Sequence, residues 1–452
     1  MRPELTTRPF PAGFRWSTAT SAFQIEGART AEGRGRSIWD DFVDAPGAVK
    51  DGSDAEPSCD SYRRTADDVA LASGLGVDRY RFSIPWVRIQ PDGSGPLNRA
   101  GLDHYSRFVD DLLASGVTPF PTLYHWEMPS AIEAAGGWLS RDTAQRFADY
   151  AAIVGDHLGD RVVDWYTLNE PAMTTLQGYG TGELAPGRQL LFGALPTVHH
   201  QLLAHALAAE ALRARGAGRV GLVNNHTRVL PLNDTPEDHQ AVALYDLVHN
   251  RVFSEPLLAG VYPDLDALGL PAMPVHPGDL EAISSSIDFY GINFYNPTTV
   301  TASAGEIPFD IVPTPGVPFT GFGPEWPIMP GALRDFLIDL AGRHPGLPPV
   351  IIGENGASFP EPDEAGRVED DDRISYLAGH IAAVAEAIDH GVDVEEYTVW
   401  SLLDNFEWAD GYTQRFGLVH VDFATGERTP KASYDWYRNL ITDARRAAEV
   451  TA

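Results

Sequence analysis

Eight short apolar runs, separated by longer and more polar stretches, are the feature that most constrains the fold of this chain. Amphipathic helical patterns occupy most of the gaps, and such alternation favours parallel strands joined by crossover helices. We predict an α/β fold, a single TIM-type (β/α)8 barrel with extended βα loops, formed by residues 1–452 as one domain. The strand-like runs are residues 14–21, 79–84, 118–124, 164–168, 219–224, 287–292, 349–352 and 394–400.

Two of the helical patterns have clear ends. Residues 140–157 carry apolar side chains at helical spacing, with Ser140 as the expected N-cap and Gly159 as the stop. A second pattern begins at Val198 and ends before Gly216. The alternative architecture is a doubly wound open sheet. It is disfavoured because the glycine-rich segment GYGTGELAPG does not follow the first strand, where a dinucleotide-binding loop would lie.

The chain is strongly acidic, since 63 Asp and Glu residues against 33 Lys and Arg residues give a formal net charge of −30. Such a surface repels nucleic acids and anionic lipids, so neither is expected as a partner. No apolar stretch is long enough to span a membrane, and the first residues lack the apolar region of a signal peptide. We therefore expect a cytoplasmic protein, and the composition leaves its oligomeric state open.

Cysteine and histidine usage does not indicate a metal or a cofactor. Cys59 is the only cysteine, which excludes an intrachain disulfide and a multi-cysteine metal centre, and we expect it to be buried. His199, His200 and His205 lack the H-E-x-x-H spacing and lie in a helical pattern, so we expect structural roles for them. We predict no metal and no cofactor.

Polar or aromatic side chains stand at or near the end of every strand-like run. In a barrel of parallel strands, the carboxyl ends of the strands converge on one face, where active sites lie. These side chains are therefore expected to meet around one pocket. They are Gln24, Arg81, Trp86, His125, Asn169, Glu170, Asn225, Asn293, Tyr295, Glu354, Trp400, Asn405, Glu407 and Trp408.

Two glutamates in this set are placed alike. Glu170 in YTLNEP and Glu354 in VIIGENG each stand just past an apolar run. Cleavage of a glycosidic bond requires two carboxyl groups, one protonated and one ionised, on either side of a sugar ring. The pair therefore predicts a glycoside hydrolase, and the residues alone leave open which glutamate takes which role.

A set of motifs with a specific order and spacing covers almost the whole chain. They are FPAGFRWSTATSAFQIEG, YRFSIPWVRIQPDG, LYHWEMP, TLNEP, YGINFYNP, IIGENGASF, WSLLDNFEWADGYTQRFGLVHVDF and RTPKASYDWY. In these motifs the chain resembles glycoside hydrolase family 1, the β-glucosidase-type barrels.

The resemblance implies a retaining β-glycosidase, most simply a β-glucosidase that releases β-linked glucose from the non-reducing end of unphosphorylated glycosides. It implies that Glu170 is the acid/base and Glu354 the nucleophile. Arg81 and Asn293 would support the two carboxyl groups. The residues implied to bind the sugar or orient the nucleophile are Gln24, His125, Asn169, Tyr295, Trp400, Glu407 and Trp408.

Glu407 bears on the class of sugar. Phosphoglycosidases of the family have Ser in this place and Lys slightly further on, and together these receive a 6-phosphate. Glu407 would repel that group, and Arg415 beside Phe416, itself expected at the sugar site, does not restore the pattern. The resemblance therefore implies an unphosphorylated, β-glucoside-like sugar, with the choice among glucose, galactose and fucose left open.

The aglycone side is predicted from residues 297–330, which hold eight prolines and four glycines. We expect a long loop without regular structure, placed after the sixth strand and overhanging the pocket mouth. Trp326, Phe322 and Met173 are expected to shape the aglycone site there.

Three positions depart from the family pattern. Gly353 precedes the nucleophile where Thr is frequent, Leu184 stands where His is common, and Glu396 replaces a frequent Gly. Gly353 is expected to loosen the hold on Glu354, and Leu184 to alter the site entrance. Two alternatives stay open: a transglycosidase on the same scaffold, and a non-catalytic sugar-binding barrel, which the presence of both glutamates disfavours.

Overall fold

A computed structural model describes residues 10–361 and 367–451, in which eight parallel strands close into a barrel. The strands β1 to β8 follow one another around the barrel in chain order, and β8 pairs with β1. The predicted TIM-type barrel is confirmed, and the doubly wound alternative is wrong. The strands are β1 Arg15–Ala19, β2 Arg79–Ser83, β3 Thr118–Tyr124, β4 Asp164–Asn169, β5 Arg219–Asn225, β6 Phe289–Asn293, β7 Val350–Asn355 and β8 Val394–Trp400.

The strands are apolar in continuous runs because both of their faces are covered, one by the barrel interior and one by helices. Ile351 of β7 packs in the interior, whereas Val350 and Ile352 pack in the layer between strands and helices. The other members of the interior cluster are Phe120, Tyr166, Val223 and Phe289.

Helices follow the strands along the chain and surround the barrel. Their amphipathic patterns bury one face against the strands, as in α3, where Ala144, Phe147 and Val154 are buried. The longer helices are α1 Thr65–Leu75, α2 Arg99–Ala114, α3 Asp142–Leu158, α4 Pro196–Arg213, α5 Pro236–Asp246, α6 Val252–Ala259, α7 Pro330–Arg343, α8 Asp371–Asp389 and α9 Ala432–Thr451.

Shorter elements lie in the connections between strands and helices. The α-helical turns are Ala22–Ile25, Ile38–Val43, Trp86–Ile89, Ser130–Ala134, Pro171–Met173 and Asp279–Ser284. The 3-10 turns are Gly137–Leu139, Leu191–Ala194, Asp266–Leu268 and Trp408–Asp410, and π-helical segments span Thr174–Thr181 and Leu247–Arg251. A further pair of antiparallel strands, Val419–Asp422 and Glu427–Pro430, precedes α9.

The predicted N-cap of the third long helix is wrong. Helix α3 begins at Asp142, and Arg141 before it already has a helical backbone. Ser140 has an extended backbone because it ends the 3-10 turn Gly137–Leu139. Its side chain does not cap helix α3, and its carbonyl oxygen accepts from the Thr143 N–H at 3.2 Å. The predicted stop at Gly159 is confirmed as the C-cap.

The prediction that residues 297–330 lack regular structure is also wrong. Strands Thr298–Ala302 and Phe309–Val312 form an antiparallel hairpin that is joined by Val229–Pro231, and Phe319–Thr320 pairs with Gly323–Pro327. The strands are short, so most of the prolines lie between them or at their ends, where no ladder hydrogen bond is lost.

Charged residues close the barrel at the amino ends of its strands. Glu396 in β8, wholly buried, accepts from Arg15 Nε at 3.0 Å and from Arg79 Nη1 at 3.2 Å. Arg79 also pairs with Asp164, which accepts from Arg219 as well. The departure at Glu396 therefore belongs to a structural ion network, on the opposite side of the barrel from the strand ends that carry the two glutamates.

Two smaller predictions concern Cys59 and the membrane. Cys59 is fully buried, as expected, and burial raises the pKa of its thiol. Within the described ranges, no helix combines the length and the apolar character needed to cross a bilayer.

Candidate active site

The carboxyl ends of the barrel strands surround a cavity of about 490 Å³. Its walls bring together predicted residues from the ends of β3, β4, β5, β6, β7 and β8, so most of the predicted set shares one pocket. Those that line the cavity are His125, Glu170, Met173, Asn225, Tyr295, Phe322, Trp326, Glu354, Trp400, Glu407, Trp408 and Phe416. Gln24, Arg81, Asn169 and Asn293 lie behind this lining and bond to it. The prediction is wrong for Trp86, which is fully buried and stacks on Tyr150 at 5.4 Å because it packs against the helices outside the barrel.

Glu354 is buried at the carboxyl end of β7. Its Oε1 accepts from Arg81 Nη1 at 2.7 Å, and its Oε2 accepts from the Tyr295 hydroxyl at 2.6 Å. Burial raises the pKa of Glu354, whereas the Arg81 guanidinium and the Tyr295 hydroxyl oppose that rise because they stabilise the carboxylate.

Glu170 directly follows β4 and has a left-handed backbone, with φ at 47°. Such a conformation costs a non-glycine residue roughly 1–3 kcal/mol and is concentrated at functional sites. Its Oε1 accepts from Asn225 Nδ2 at 3.0 Å and from Asn293 Nδ2 at 2.9 Å. Burial, followed by the negative charge of Glu354, raises the pKa of Glu170 to about 8.

The two carboxyl groups therefore differ in their partners. Glu354 contacts a guanidinium, whereas the hydrogen-bond donors to Glu170 are neutral amides. Two neighbouring carboxyl groups cannot readily both ionise, and the cation decides which one does. At neutral pH the proton accordingly resides on Glu170, and Glu354 is the carboxylate.

Asn169 connects the two sides of this arrangement. Its Oδ1 accepts from Arg81 Nη2 at 2.7 Å and from Asn293 Nδ2 at 3.1 Å. Its Nδ2 donates to His125 Nε2 at 3.0 Å, so the hydrogen of the neutral imidazole lies on Nδ1. Burial lowers the pKa of His125 well below its usual range, which keeps the ring uncharged.

Gln24 and Glu407 form a polar pair at the base of the cavity. Gln24 Nε2 donates to Asn405 Oδ1 at 3.0 Å and to Glu407 Oε2 at 3.2 Å. Burial and then the negative charges of Asp410, Glu354 and Glu170 raise the pKa of Glu407. Glu407 lines the cavity and Gln24 lies behind it, so the Glu407 carboxyl group is the member of the pair that can meet a hydroxyl group of a ligand.

Aromatic rings form one wall of the cavity. His125 stacks between Trp400, at a centroid distance of 5.7 Å, and Trp408, at 6.0 Å. Trp126 lies against Trp408 at 4.7 Å. Trp126 and Trp408 both have left-handed backbones, with φ at 72° and 50°. These rings offer flat apolar faces for the C–H side of a pyranose.

The hairpin region after β6 covers the outer part of the cavity. Phe322 stacks on Trp326 at 4.4 Å, and Phe416 lies 5.6 Å from Phe322. Met173 and Leu184 line the same cavity. Trp326 and Phe322 line the cavity together with Met173, and their role in shaping the aglycone site stays a prediction.

Sequence reasoning assigned no role to several residues of this site. Asn225 was recognised only as a strand end, yet it donates to Glu170. His249 was missed, because it lies in a π-helical segment between α5 and α6 and no strand pattern marks it. Two exposed carboxylates at the mouth, Glu183 and Glu325, were missed as well.

One group among the described residues could hold a metal ion: Glu361, Asp404 and His420. Lys431 Nζ already bonds to Glu361 Oε1 at 2.5 Å and to Asp404 Oδ1 at 2.8 Å. Arg373 Nη2 also donates to Glu361 Oε1, at 2.5 Å. These cations compensate the carboxylates, so the group does not fit a metal.

Residues 6–446 match the sequence family described as glycosyl hydrolase family 1. The chain belongs to this family. Thermostable beta-glucosidase B of Thermobispora bispora is 44% identical over 438 residues, which covers 96% of this chain and 90% of that protein. A bifunctional beta-D-glucosidase/beta-D-fucosidase of Bifidobacterium breve is 43% identical over 464 residues, covering 97% of this chain and 99% of that protein.

Solved structures agree with this membership. The beta-glucosidase from Thermotoga maritima in complex with glucoimidazole superimposes with a TM-score of 0.91 at 40% identity, covering 96% of this chain and 99% of that one. The family resemblance found in the motifs is confirmed, and the chain is a glycoside hydrolase of family 1.

The family departure at Gly353 has a packing reason. A Cβ at this position would lie 2.6 Å from Val223 Cγ2 and 2.9 Å from Asn293 Oδ1, so Val223 occupies the space of a larger side chain. The carbonyl oxygen of Gly353 accepts from Arg81 Nη1 at 2.9 Å. The same guanidinium therefore holds both the backbone before Glu354 and its carboxylate, and the effect of Gly353 on that hold stays a prediction.

Proposed function

We propose that this family 1 enzyme is a retaining β-glucosidase that releases β-linked glucose from the non-reducing end of unphosphorylated glycosides. The observation that carries the proposal is the asymmetry of the two buried carboxyl groups. Glu354 is paired with Arg81, and Glu170 has a pKa raised to about 8. A nucleophile and a general acid are the roles that these two states serve.

In the first step, the Glu354 carboxylate attacks the anomeric carbon and forms a glycosyl ester. Glu170 donates its proton to the glycosidic oxygen, so the aglycone leaves as a neutral alcohol. Retaining enzymes place the two carboxyl groups about 5–5.5 Å apart for this purpose. Tyr295 and Arg81 orient Glu354 for the attack, since each contacts one of its two oxygens.

In the second step, Glu354 is uncharged and Glu170 is the carboxylate. Esterification removes the negative charge of Glu354, which is the second cause of the raised pKa of Glu170. The pKa of Glu170 then falls, and as a carboxylate it accepts a proton from water. That water attacks the anomeric carbon, the ester bond breaks, and glucose leaves with its β configuration retained.

The unphosphorylated substrate is supported by the charges around the cavity. No Lys or Arg belongs to the cavity lining within the described part of the chain, and Glu183, Glu325 and Asp410 add negative charge at the mouth. A phosphate would lose its hydration there without gaining a cationic partner. Glucose as the sugar is supported by the relatives named above, all of them beta-glucosidases, and one also a beta-D-fucosidase.

We expect the purified enzyme to turn over 4-nitrophenyl β-glucoside, and NMR spectra taken during hydrolysis to show β-glucose before α-glucose appears by mutarotation. A panel with the β-galactoside, the β-fucoside and the 6-phospho-β-glucoside tests the sugar, and we expect no turnover of the phosphorylated member. Either α-glucose as the first product or a preference for the phosphorylated substrate would show that the proposal is wrong.

The pH dependence follows from the raised pKa of Glu170. The free enzyme is active only while Glu170 is protonated, so kcat/KM should decline as pH rises through about 8. At low pH, activity should fall as Glu354 becomes protonated. The measurement is kcat/KM for an aryl β-glucoside across the pH range, with reversibility checked by return to neutral pH. A decline that already begins near about pH 5, where an ordinary glutamate titrates, would contradict this account.

A further inference from the structure

A hydrogen-bonded chain runs away from the acid/base into the helical layer. His249 Nε2 lies 3.0 Å from Asn225 Oδ1, and Asn225 Nδ2 donates to Glu170 Oε1 at 3.0 Å. His249 is buried and also lines the cavity. The steps of hydrolysis described above make no use of this histidine.

The donors and acceptors in the chain have one consistent assignment. Oε1 of Glu170 also accepts from Asn293 Nδ2, so the proton of Glu170 lies on its other oxygen. The amide nitrogen of Asn225 therefore faces Oε1, and its oxygen faces His249. His249 must then carry its hydrogen on Nε2. Burial lowers the pKa of His249 to about 3, so the ring is neutral near neutral pH and donates to Asn225 from Nε2.

His249 is held in place by an irregular but well-bonded segment. It lies in the π-helical segment Leu247–Arg251, and such segments are frequent at functional sites. The next residue, Asn250, donates to the Thr227 carbonyl oxygen at 2.9 Å, and its Oδ1 accepts from the Thr227 N–H at 3.2 Å. The ring of Tyr245 stacks on His249 at 5.2 Å. The loop after β5 and the imidazole are therefore fixed relative to each other.

We propose that His249 is a positioning residue that acts on the acid/base through Asn225. Its Nε2–H holds the Asn225 amide with the nitrogen towards Glu170. Without that donor, the amide could turn and present its oxygen, which repels a carboxylate and accepts from a protonated carboxyl group. His249 thus keeps Glu170 oriented for proton transfer and stabilises its ionised form in the second step.

Replacement of His249 by phenylalanine should slow reactions that depend on proton donation to the leaving group. We expect kcat/KM for methyl β-glucoside to fall about ten- to hundredfold, a part of the ~10²–10⁴ that a positioned general acid contributes. The fall for 2,4-dinitrophenyl β-glucoside should be far smaller, since that leaving group departs without a proton. The alkaline limb of kcat/KM should also move to higher pH, because the carboxylate of Glu170 loses a donor.

Three further variants separate positioning from a general structural effect. His249→Gln should restore much of the lost rate, since its amide offers an N–H at a similar reach. Asn225→Ala should reproduce the dependence on the leaving group, and adding His249→Phe to it should change little, because the histidine acts through that amide. His239→Phe, on the exposed face of α5, is the matched control and should behave as the parent enzyme.

Equal losses of His249→Phe on both substrates, additive effects in the double variant, or an unmoved alkaline limb would each overturn the inference. If His249→Phe does not fold, His249→Gln and Asn225→Ala still decide it, since Asn225→Ala must show the leaving-group dependence. The inference rests on the proposed function, but the failures are distinguishable. A parent enzyme without β-glucosidase activity refutes that function, whereas an active parent with substrate-independent losses refutes only the role of His249.

Discussion

Replacing Glu354 with glycine is expected to abolish hydrolysis of β-glucosides, with a loss greater than the ~10²–10⁴ typical for removal of a general acid. The reason is that the covalent route disappears with its nucleophile, including for activated substrates. The measurement is kcat/KM for 2,4-dinitrophenyl β-glucoside, compared with the parent enzyme. Arg81 also loses its anionic partner in this variant, so unfolding should be monitored alongside activity.

Azide should restore turnover to Glu354→Gly, because a small anion can enter the space left by the carboxylate next to Arg81. It attacks from the side that Glu354 occupied, so the expected product is the α-glucosyl azide. The matched control is Glu354→Gln, whose side chain fills that space and should prevent rescue. Substantial activity without azide, or a β-glucosyl azide, would contradict the role of Glu354 as nucleophile.

Replacing Glu170 with alanine should lower kcat/KM by about 10²–10⁴ for substrates with poor leaving groups. The loss should be much smaller for 2,4-dinitrophenyl β-glucoside, because its glycosyl ester forms without proton donation. That ester should then accumulate, since no base activates water in the second step. Mass spectrometry of the protein during turnover would detect it.

Azide should also increase the turnover of Glu170→Ala, but with the opposite anomer. It replaces water in the second step and needs no base, so the product should be β-glucosyl azide. Glu237→Ala, an exposed position in α5, serves as the matched surface control. The same anomer from both active-site variants would show that the two roles are wrongly divided.

The eight apolar runs located all eight barrel strands, with ends that differ by a few residues. These strands are easily recognised in the sequence because both of their faces are buried and apolar. Their carboxyl ends are harder to locate, because polar site residues there still pair with the neighbouring strands. Asn293 and Glu354 were expected after their strands, and both lie within them. The hairpin in residues 297–330 was missed because its strands are short and prolines dominate the composition.

Some residues of the candidate site could be predicted from the sequence, and others could not. Residues that stand in family motifs, such as Gln24 and Tyr295, were found by motif and strand-end position together. His249 carries no such signal, since it lies in a helical segment and reaches Glu170 only through Asn225. The cytoplasmic location and the one-domain organisation stay predictions.

The sequence by itself determined the barrel, the family and the two carboxyl groups, because apolar periodicity and motif spacing are local properties of the chain. The family resemblance implied which carboxyl group holds the proton, but only the tertiary structure supplied the physical reason. The ionisation of Glu170 and Glu354 depends on their burial, on their mutual repulsion and on Arg81, and these come from distant parts of the chain. The tertiary structure likewise explains why glycine stands at position 353, since Val223 packs where a larger side chain would lie.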